Sequence, residues 1–317
     1  MGLFDAVVNK TNKTVASKKL SSKNKKTPKN IIKKNNSNKT NKKISKKIIK
    51  KVKLDKESKK LISNKKKIVI KEWVKTRVEG FDELLDKGIP KNSSILLSGG
   101  PGSGKTIFGL QTCYFNALKG KKCMYMSFEE SIRELKEHMK VFGWDYEKVK
   151  DKMELVKQEP FRISRYVEGL LAKAKGELLE DFNPKIFPKN FKPEILVIDS
   201  LSAIESAFFE KEDNYRIYIE QLFNYLDISG VTSYLITEIQ QEFRNFNTKT
   251  GVEEFLADGV FVFYNTRRQD LKERSCEVLK LRGVNHITRI VPFKIVDKKG
   301  IVVYPEERTF NDVEGEQ

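Results

Sequence analysis

The sequence predicts an α/β protein with a mostly parallel, twisted sheet, helices on both faces of the sheet and an antiparallel extension at its C-terminal end. Three observations lead to this fold class. From about residue 68, apolar runs of strand length alternate with amphipathic stretches of helix length, which is typical of a parallel sheet covered by helices. The first apolar run leads directly into a glycine-rich loop. The last four apolar runs are separated only by short turns, which is typical of antiparallel strands.

The individual elements follow from the periodicity of the apolar residues. The alternating part is predicted to contain, in order, a strand at 94–97, a helix at 105–118, a strand at 123–128, a helix at 132–142, a short strand near 155–156, a helix at 164–179, a strand at 195–198, a helix at 215–226 and a strand at 231–237. The antiparallel extension is predicted to contain strands at 260–264, 275–281, 289–296 and 301–304. No internal repeat is visible, so these elements are expected to form one domain.

The charge of the chain is concentrated at one end. The 317 residues carry a formal net charge of +19, but residues 1–67 alone hold 24 lysines, no arginine and three acidic residues, a net of +21. The remaining 250 residues hold 38 basic and 40 acidic groups. We therefore expect two regions: a disordered, lysine- and asparagine-rich basic tail over 1–67, which lacks the apolar surface needed to fold, and a nearly neutral globular domain over 68–317. Within the tail, 42–62 has the apolar spacing of a basic amphipathic helix that could form on a partner.

The composition argues against several classes of protein. No run of about 18 apolar residues occurs, so an integral membrane protein is not expected. The N-terminus lacks the apolar core of a signal peptide. Three cysteines without a CxxC pair, together with only two histidines, argue against a disulfide framework, a zinc site or a His-rich metal site. We therefore expect a cytoplasmic protein.

The strongest local signal is a phosphate-binding loop. Residues 99–106 match the pattern GxxxxGK[ST] in full, between an apolar strand and a helical pattern. Such a loop wraps its backbone amides around phosphate oxygens at the positive end of the following helix. Within it, Lys105 would reach the β- and γ-phosphates and the Thr106 hydroxyl would hold Mg²⁺. The predicted nucleotide-binding residues of the loop are Gly99, Gly100, Pro101, Gly102, Ser103, Gly104, Lys105 and Thr106.

Three acidic residues are candidates for the chemistry beside the phosphates. Asp199 ends the apolar strand at 195–198, where P-loop proteins place an acid that holds Mg²⁺. Glu129 and Glu130 follow the strand at 123–128, and the carboxyl ends of parallel strands share one crevice. Adjacent carboxylates raise each other's pKa, which suits a general base. An alternative is that one of the two glutamates starts the next helix near its dipole, and we expect one glutamate in each role.

These motifs, taken together with several others, resemble the KaiC-type branch of the RecA superfamily. The resemblance covers about 72–305, and the motifs occur in the order typical of the family. Besides the phosphate loop, the segments that carry it are Thr76 to Leu85 with Gly88-Ile89-Pro90, Ser127-Phe128-Glu129-Glu130, Phe142-Gly143-Trp144-Asp145, Ile198-Asp199-Ser200, Thr237-Glu238, Gly251-Val252-Glu253-Glu254-Phe255, and Lys280-Leu281-Arg282-Gly283 with His286.

The resemblance implies a single-domain ATPase with a RecA-like P-loop core, ATP and Mg²⁺ as ligands, and self-association into a ring, a hexamer, with ATP at the subunit interfaces. It adds Ile107 to the phosphate-binding residues, and it makes Glu129 and Glu130 the paired catalytic glutamates beside Lys105. The residues that match positions reaching the nucleotide from the neighbouring subunit are Lys280, Leu281, Arg282, His286 and Asp297. From the residue types alone, a solvated strand end would be the favoured interpretation of Lys280 and Arg282.

Three functions remain open at this stage. The first is an oligomeric ATPase that signals to an unknown protein partner through ATP-driven conformational change, and the paired glutamates favour it. The second is a recombinase-like ATPase that binds DNA, although no helix-hairpin-helix module precedes residue 68. The third is an ATP-gated scaffold with little hydrolysis. The basic tail could bind nucleic acid or an anionic surface without sequence specificity, or it could be a solubilising extension that reflects codon bias.

Overall fold

The computed structural model describes residues 72–160, 187–188, 190–208, 212–239, 252–268 and 271–309. The predictions for the tail at 1–67 and for the helix at 164–179 lie outside the described residues. Within these residues the predicted fold class is confirmed, because helices cover both faces of a mostly parallel sheet that ends in antiparallel strands.

The described elements have the following bounds. The strands are β1 Trp73–Val74, β2 Ile89–Pro90, β3 Ser94–Gly99, β4 Cys123–Ser127, β5 Met153–Lys157, β6 Ile195–Asp199, β7 Thr232–Glu238, β8 Gly259–Arg268, β9 Leu271–Leu281, β10 Val291–Val296 and β11 Gly300–Val303. The α-helices are α1 Lys105–Leu118, α2 Ile132–Val141, α3 Leu201–Ser206, α4 Glu212–Ser229 and α5 Val252–Leu256.

The main sheet has the strand order β11-β10-β9-β8-β3-β7-β6-β4-β5. The six strands from β8 to β5 in this order are parallel to one another, whereas β9, β10 and β11 each pair antiparallel with their neighbours. The parallel part therefore places the carboxyl ends of β3, β7, β6 and β4 side by side along one edge of the sheet. A separate two-stranded sheet joins β1 to β2.

Both faces of the sheet are buried, which explains the continuous apolar runs of its central strands. On one face, α1 packs through Phe108 against Phe81 and Phe263, with ring centroids 4.8 and 5.0 Å apart. On the other face, residues of α3 and α4 such as Ile204 and Ile219 are fully buried against β6 and β7. The phosphate loop is thus carried by a strand and a helix that both belong to the core.

The antiparallel extension is tied to the helix that follows the loop. The buried Gln111 side chain in α1 donates from Nε2 to the Ile301 carbonyl at 3.0 Å, and its Oε1 accepts from the Ile301 amide at 2.7 Å. In the middle of the loop itself, Arg274 of β9 donates from Nε to the Gly102 carbonyl at 3.3 Å. The C-terminal strands therefore support the loop and its helix directly.

One local prediction is wrong. We expected one of the two glutamates after β4 to start the next helix, but α2 begins after Ser131. The Ser131 side chain accepts from the Glu134 amide, and the Glu134 side chain accepts from the Ser131 amide, which together form a capping box. The acidic residue of the first helical turn is thus Glu134, and both Glu129 and Glu130 precede the helix.

None of the helices in the described ranges is long and apolar enough to cross a membrane.

Candidate nucleotide-binding site

The phosphate loop is a tight turn between two buried elements. It leaves β3 at Gly99 and enters α1 at Lys105. A side chain at Gly99 would place its Cβ 2.3 Å from the Phe263 carbonyl oxygen, so only glycine fits this close approach to β8. Gly104 has a φ of +98°, a conformation that L side chains rarely adopt, and it allows the chain to turn sharply into the helix.

Lys105 lies inside the loop. Its side chain is buried, and Nζ donates to the carbonyls of Gly99 and Gly100 at 2.8 and 2.9 Å. A carboxylate oxygen of Glu238, at the end of β7, lies 4.0 Å from Nζ. Burial lowers the pKa of the Lys105 ammonium group, and the charge of Glu238 opposes this effect. The lysine is therefore fixed beside the loop backbone with an acidic neighbour.

Asp199 lies at the centre of a buried hydrogen-bond network. Its Oδ2 accepts from the Thr106 hydroxyl at 2.9 Å and from the Tyr125 hydroxyl at 2.5 Å. Burial is the main cause that raises the pKa of the Asp199 carboxyl, and these two hydrogen bonds lower it in part. The two residues predicted to hold Mg²⁺, Thr106 and Asp199, are thus in direct contact with each other.

The two glutamates after β4 point to different partners. Their backbone amides both donate to the Ser127 hydroxyl, at 3.2 Å for Glu129 and 2.8 Å for Glu130. The Glu129 carboxylate accepts from the Ser200 hydroxyl at 2.5 Å. The Glu130 carboxylate lies 3.2 Å from Nδ1 of His138 in α2. The structure therefore directs Glu129 towards the end of β6 and Glu130 towards α2.

The surroundings of Glu130 favour its protonated form. Burial contributes most to raising the pKa of its carboxyl, and the charges of Asp199, Glu134 and Glu129 raise it further, whereas His138 lowers it. A carboxylate with a raised pKa is a better proton acceptor near neutral pH than an exposed one. Of the two glutamates, Glu130 therefore has the environment expected of a general base.

Lys280 and Arg282 lie far from the phosphate loop of their own chain. Lys280 in β9 is opposite Val260 in β8, and Val260 is opposite Leu96 in β3. The Arg282 amide donates to the carbonyl of Asp258, the residue just before β8. Because a strand rises about 3.3 Å per residue, the two ends of β3 are about 17 Å apart. Arg282 is thus level with the amino end of β3 and Lys280 with Leu96, whereas the loop begins at the carboxyl end of the strand.

Within their own chain, these two basic side chains contact α5. Lys280 Nζ donates to the carbonyls of Glu254 and Ala257 at 2.8 and 2.7 Å. Arg282 Nη2 donates to the Phe255 carbonyl at 2.8 Å. These carbonyls belong to the last turn of α5 and the residue after it, so the basic pair supplies donors at the C-terminal end of a short helix.

The three other residues matched to the neighbour's nucleotide have varied settings. Leu281 is only 5% exposed and belongs to the core, which leaves its backbone rather than its side chain for an intermolecular contact. His286 is half-buried, and its backbone pairs with that of Leu85 in an isolated antiparallel β-bridge. Asp297 is exposed in the turn after β10. Through β9 and β8, the start of β10 is level with Gly99 of β3, so the end of β10 extends past the carboxyl end of β3.

Several residues in the site were not singled out from the sequence. Tyr125 lies between Met124 and Met126 in a strand with an apolar pattern, so nothing in the sequence indicated that its hydroxyl contacts the site. Ser200 directly follows β6 and Glu238 ends β7; both occur within motifs but were given no role, and their position at the shared carboxyl edge is the pattern that could have assigned one. His138 appears in the sequence only as a polar residue of an amphipathic helix.

Comparison with known proteins now identifies the family. The chain matches a family model described as "ATPase: KaiC" over residues 74–308, well over half of its length. The chain belongs to the KaiC ATPase family. Its sheet and loop are therefore those of an ATPase of the RecA superfamily, as the motifs of the sequence predicted.

Individual relatives agree with this assignment. A circadian clock protein KaiC3 from Synechocystis sp. is 32% identical over 237 residues, which cover 74% of this chain and 46% of the relative. A UPF0273 protein from Thermotoga maritima is 33% identical over 247 residues, covering 74% of this chain and 96% of the relative. The crystal structure of a KaiC-like protein from Pyrococcus horikoshii OT3 has a TM-score of 0.59 and 32% identity, covering 74% of this chain and 99% of that chain.

The coverage separates two kinds of relative. The chain spans about half the length of the circadian clock proteins that it matches. It spans nearly the full length of the UPF0273 relative and of the KaiC-like crystal structure. The match is therefore to a single KaiC-type domain.

Proposed function

We propose that this protein is a Mg²⁺-dependent ATPase that hydrolyses ATP between neighbouring subunits of a ring and transmits the resulting conformational change to a protein partner. The observation that supports this best is the separation of charge across the sheet. Lys105 lies at the carboxyl edge with the carboxylates of Glu238, Asp199 and the paired glutamates, whereas Lys280 and Arg282 contact the end of α5, which precedes β8. Head-to-tail association of copies would bring these two regions together, and six copies is the number that the family resemblance implies.

Binding of the phosphates is assigned to the loop, residues 99–106, and to Ile107. The loop leads into α1, a helix of 14 residues whose positive end attracts anions. Among the described residues, the buried hydroxyl of Ser103 has no hydrogen-bond partner, so a donor is free inside the loop. Lys105 is already at the loop backbone, where its ammonium group would contact the β- and γ-phosphates of ATP.

The residues at the end of β6 suit Mg²⁺. This ion prefers oxygen ligands and usually combines one or two protein oxygens with water and substrate phosphates. The Thr106 hydroxyl and the Asp199 carboxylate provide such oxygens in direct contact with each other. Bound there, the ion would neutralise charge on the phosphates, and Tyr125 would keep the Asp199 carboxylate oriented.

The reaction needs a group that accepts a proton from water. The water oxygen forms a bond to the γ-phosphorus, the bond from this phosphorus to the β,γ-bridging oxygen breaks, and ADP and phosphate leave. We assign the proton of the attacking water to Glu130, whose carboxyl has the raised pKa, with Glu129 as the alternative base. Lys280 and Arg282 of the next subunit would stabilise the negative charge of the transition state and so make hydrolysis depend on assembly.

Two alternative functions give different results. A recombinase-like enzyme would hydrolyse ATP faster in the presence of DNA, and the basic tail is the feature that favours it. An ATP-gated scaffold would assemble with ATP but turn it over very slowly. Turnover of ATP without DNA therefore separates the proposed function from both.

The test is steady-state ATP turnover of the full chain and of four variants. Lys105→Ala should abolish turnover, because the loop loses its phosphate-binding cation. Glu130→Gln should retain ATP binding and lose at least about 100-fold in kcat if Glu130 is the base. Glu129→Gln should be less impaired. A variant with both glutamates changed to glutamine that hydrolyses ATP normally would contradict the catalytic assignment.

A further inference from the structure

His138 and Glu130 form a contact that the reaction scheme above does not use. Nδ1 of the imidazole lies 3.2 Å from Oε2 of the carboxylate. His138 is in the last turn of α2, whereas Glu130 precedes the helix, so the contact spans almost the whole helix. The side chains are 48% and 32% exposed, respectively. The contact therefore joins two partly exposed side chains.

The carboxylate oxygen in this contact has few other stabilising groups. Glu130 Oε2 is shielded from solvent, and no donor of the described residues meets it with full hydrogen-bond geometry. The charged groups that act on Glu130 come from three elements: His138 and Glu134 from α2, Asp199 from the end of β6, and Glu129 beside it. Of these, only the imidazole can carry a positive charge.

We propose that His138 is a positioning residue, whose Nδ1 holds Oε2 of Glu130 and leaves Oε1 of the same carboxylate to take the proton of the attacking water. This inference rests on the proposed function, because it concerns the base of that reaction. Without the imidazole, this partly buried carboxylate would have only acidic groups as charged neighbours and nothing to fix its orientation. Acids in such settings favour protonation, so the base would also be neutral over a wider pH range.

The first test observes the contact without any catalysis. The chain has two histidines, so imidazole ¹H–¹⁵N spectra of the protein contain two sets of signals, and His138→Leu assigns them. Because Nδ1 faces the carboxylate, neutral His138 should carry its proton on Nδ1. Glu130→Ala should return the ring to the Nε2–H tautomer, and the matched control Glu134→Ala should not. An unchanged tautomer in Glu130→Ala overturns the proposal.

The second test measures the consequence for turnover. His138→Leu should lower kcat by about 10-fold, with the KM for ATP within about twofold of the wild-type value, because the substitution affects the base and not the residues that bind the phosphates. The acidic limb of its kcat–pH profile should move to higher pH, since the charge that lowers the pKa of the Glu130 carboxyl is gone.

Two further variants separate positioning from folding and from charge. His138→Gln keeps a donor but no charge, so kcat should return to within about threefold of wild type while the acidic limb stays shifted. Lys140→Leu removes a cation that pairs with Glu137 on the same helix, and should leave kcat and the pH profile unchanged. If His138→Leu matches wild type in kcat and pH profile, the proposal is overturned. If the tautomer responds as expected but the wild-type chain does not hydrolyse ATP, the positioning contact stands and the proposed function fails.

Discussion

Asp199 keeps a carboxylate where solvent cannot stabilise its charge. Burial raises the pKa of this carboxyl, and the hydrogen bonds from Tyr125 and Thr106 offset only part of the effect. An acid whose pKa is higher in the folded than in the unfolded state destabilises the fold when it is ionised, and the penalty disappears as the pH falls through the folded-state pKa. The residue that suits Mg²⁺ therefore reduces stability at neutral pH.

This leads to a prediction for Asp199→Asn, which removes the charge but keeps an acceptor. Urea unfolding in the presence of EDTA should give a free energy of unfolding about 1 kcal/mol higher than wild type at about pH 8. The difference should be smaller at about pH 5, because burial raises the pKa of the wild-type carboxyl and protonation relieves the penalty as the pH falls. The exposed control Asp151→Asn should change little at either pH. A variant that is less stable than wild type at both pH values would contradict the argument.

At this scale the sequence predicted the groups that belong to a contiguous motif. Lys105 and Thr106 are fixed by the loop pattern, and Asp199 by its place at the end of an apolar strand. The partners Tyr125 and His138 could not be predicted, because each contact joins residues of different elements, and it depends on side-chain direction rather than on spacing along the chain. Tertiary contacts of this kind leave no local pattern in one sequence.

Among the elements, β9 shows how a local irregularity changes the direction of side chains. Its pairing with β8 shifts by one residue between Val260 and Phe261, so Lys280 is opposite Val260 while Val278 is opposite Phe261. The extra residue, Leu279, is 46% exposed. Bulges of this kind re-aim side chains near functional sites. Here the bulge is directly before Lys280, and it allows Leu281 to return to the core.

The contacts of Lys280 within its own chain suggest a direct comparison of stability and activity. Lys280→Met keeps the apolar stem and removes the donor to the two carbonyls at α5. Because the group is partly exposed, the free energy of unfolding should fall by only about 1 kcal/mol. Turnover should fall by about 100-fold or more if the ammonium group acts on the neighbour's γ-phosphate. Urea unfolding and steady-state kinetics measure the two effects.

Lys299→Met is the matched control, because it removes a lysine that pairs with exposed Glu79 away from α5. Lys299→Met should change neither the free energy of unfolding nor the turnover strongly. If turnover in Lys280→Met falls only in proportion to the unfolded fraction, and the folded protein keeps its normal kcat, Lys280 has a structural role only.

The elements themselves were largely predictable from periodicity. The helix after the loop has the predicted bounds, 105–118, because glycine precedes it and an apolar stripe continues through it. Strand β3 continues beyond the predicted 94–97 to Gly99, since it pairs with strands on both sides up to that residue. The bulge in β9 was not predictable, because only the partner strand determines where an extra residue is accommodated.

For the whole molecule, alternation of strands and helices predicted a parallel sheet and an antiparallel extension, but not the order of the strands. That order depends on which crossovers bury the most apolar surface. The observed order places β7 and β6 between β3 and β4. As a result, Glu238 and Asp199 lie between the loop and the paired glutamates, which explains why one lysine has several acidic neighbours.

The basic tail gives a prediction that is independent of the active site. Removing residues 1–67 takes away a net charge of +21. If the tail binds phosphate backbones, fluorescence anisotropy should detect weak binding of DNA by the full chain. The affinity should fall by about 10-fold or more when the salt concentration rises from about 50 to about 200 mM. The shortened chain should not bind, and its kcat without DNA should equal that of the full chain.

A matched control keeps the tail but replaces its lysines with glutamine. It should behave like the shortened chain, because length is preserved and charge is lost. Equal DNA binding with and without residues 1–67 would assign the binding to the globular domain and would favour the recombinase-like alternative.

The central claim is that one chain supplies the phosphate loop and the next supplies Lys280. The most direct measurement is ATP turnover of two inactive variants, Lys105→Ala and Lys280→Met, alone and mixed at equal concentrations with time to exchange subunits. In a random mixed ring, about one interface in four joins an intact loop to an intact Lys280, so the mixture should recover about a quarter of wild-type turnover. A mixture as inactive as its two components, although mass measurements show that subunits have exchanged, would contradict the account and place a complete site within one chain.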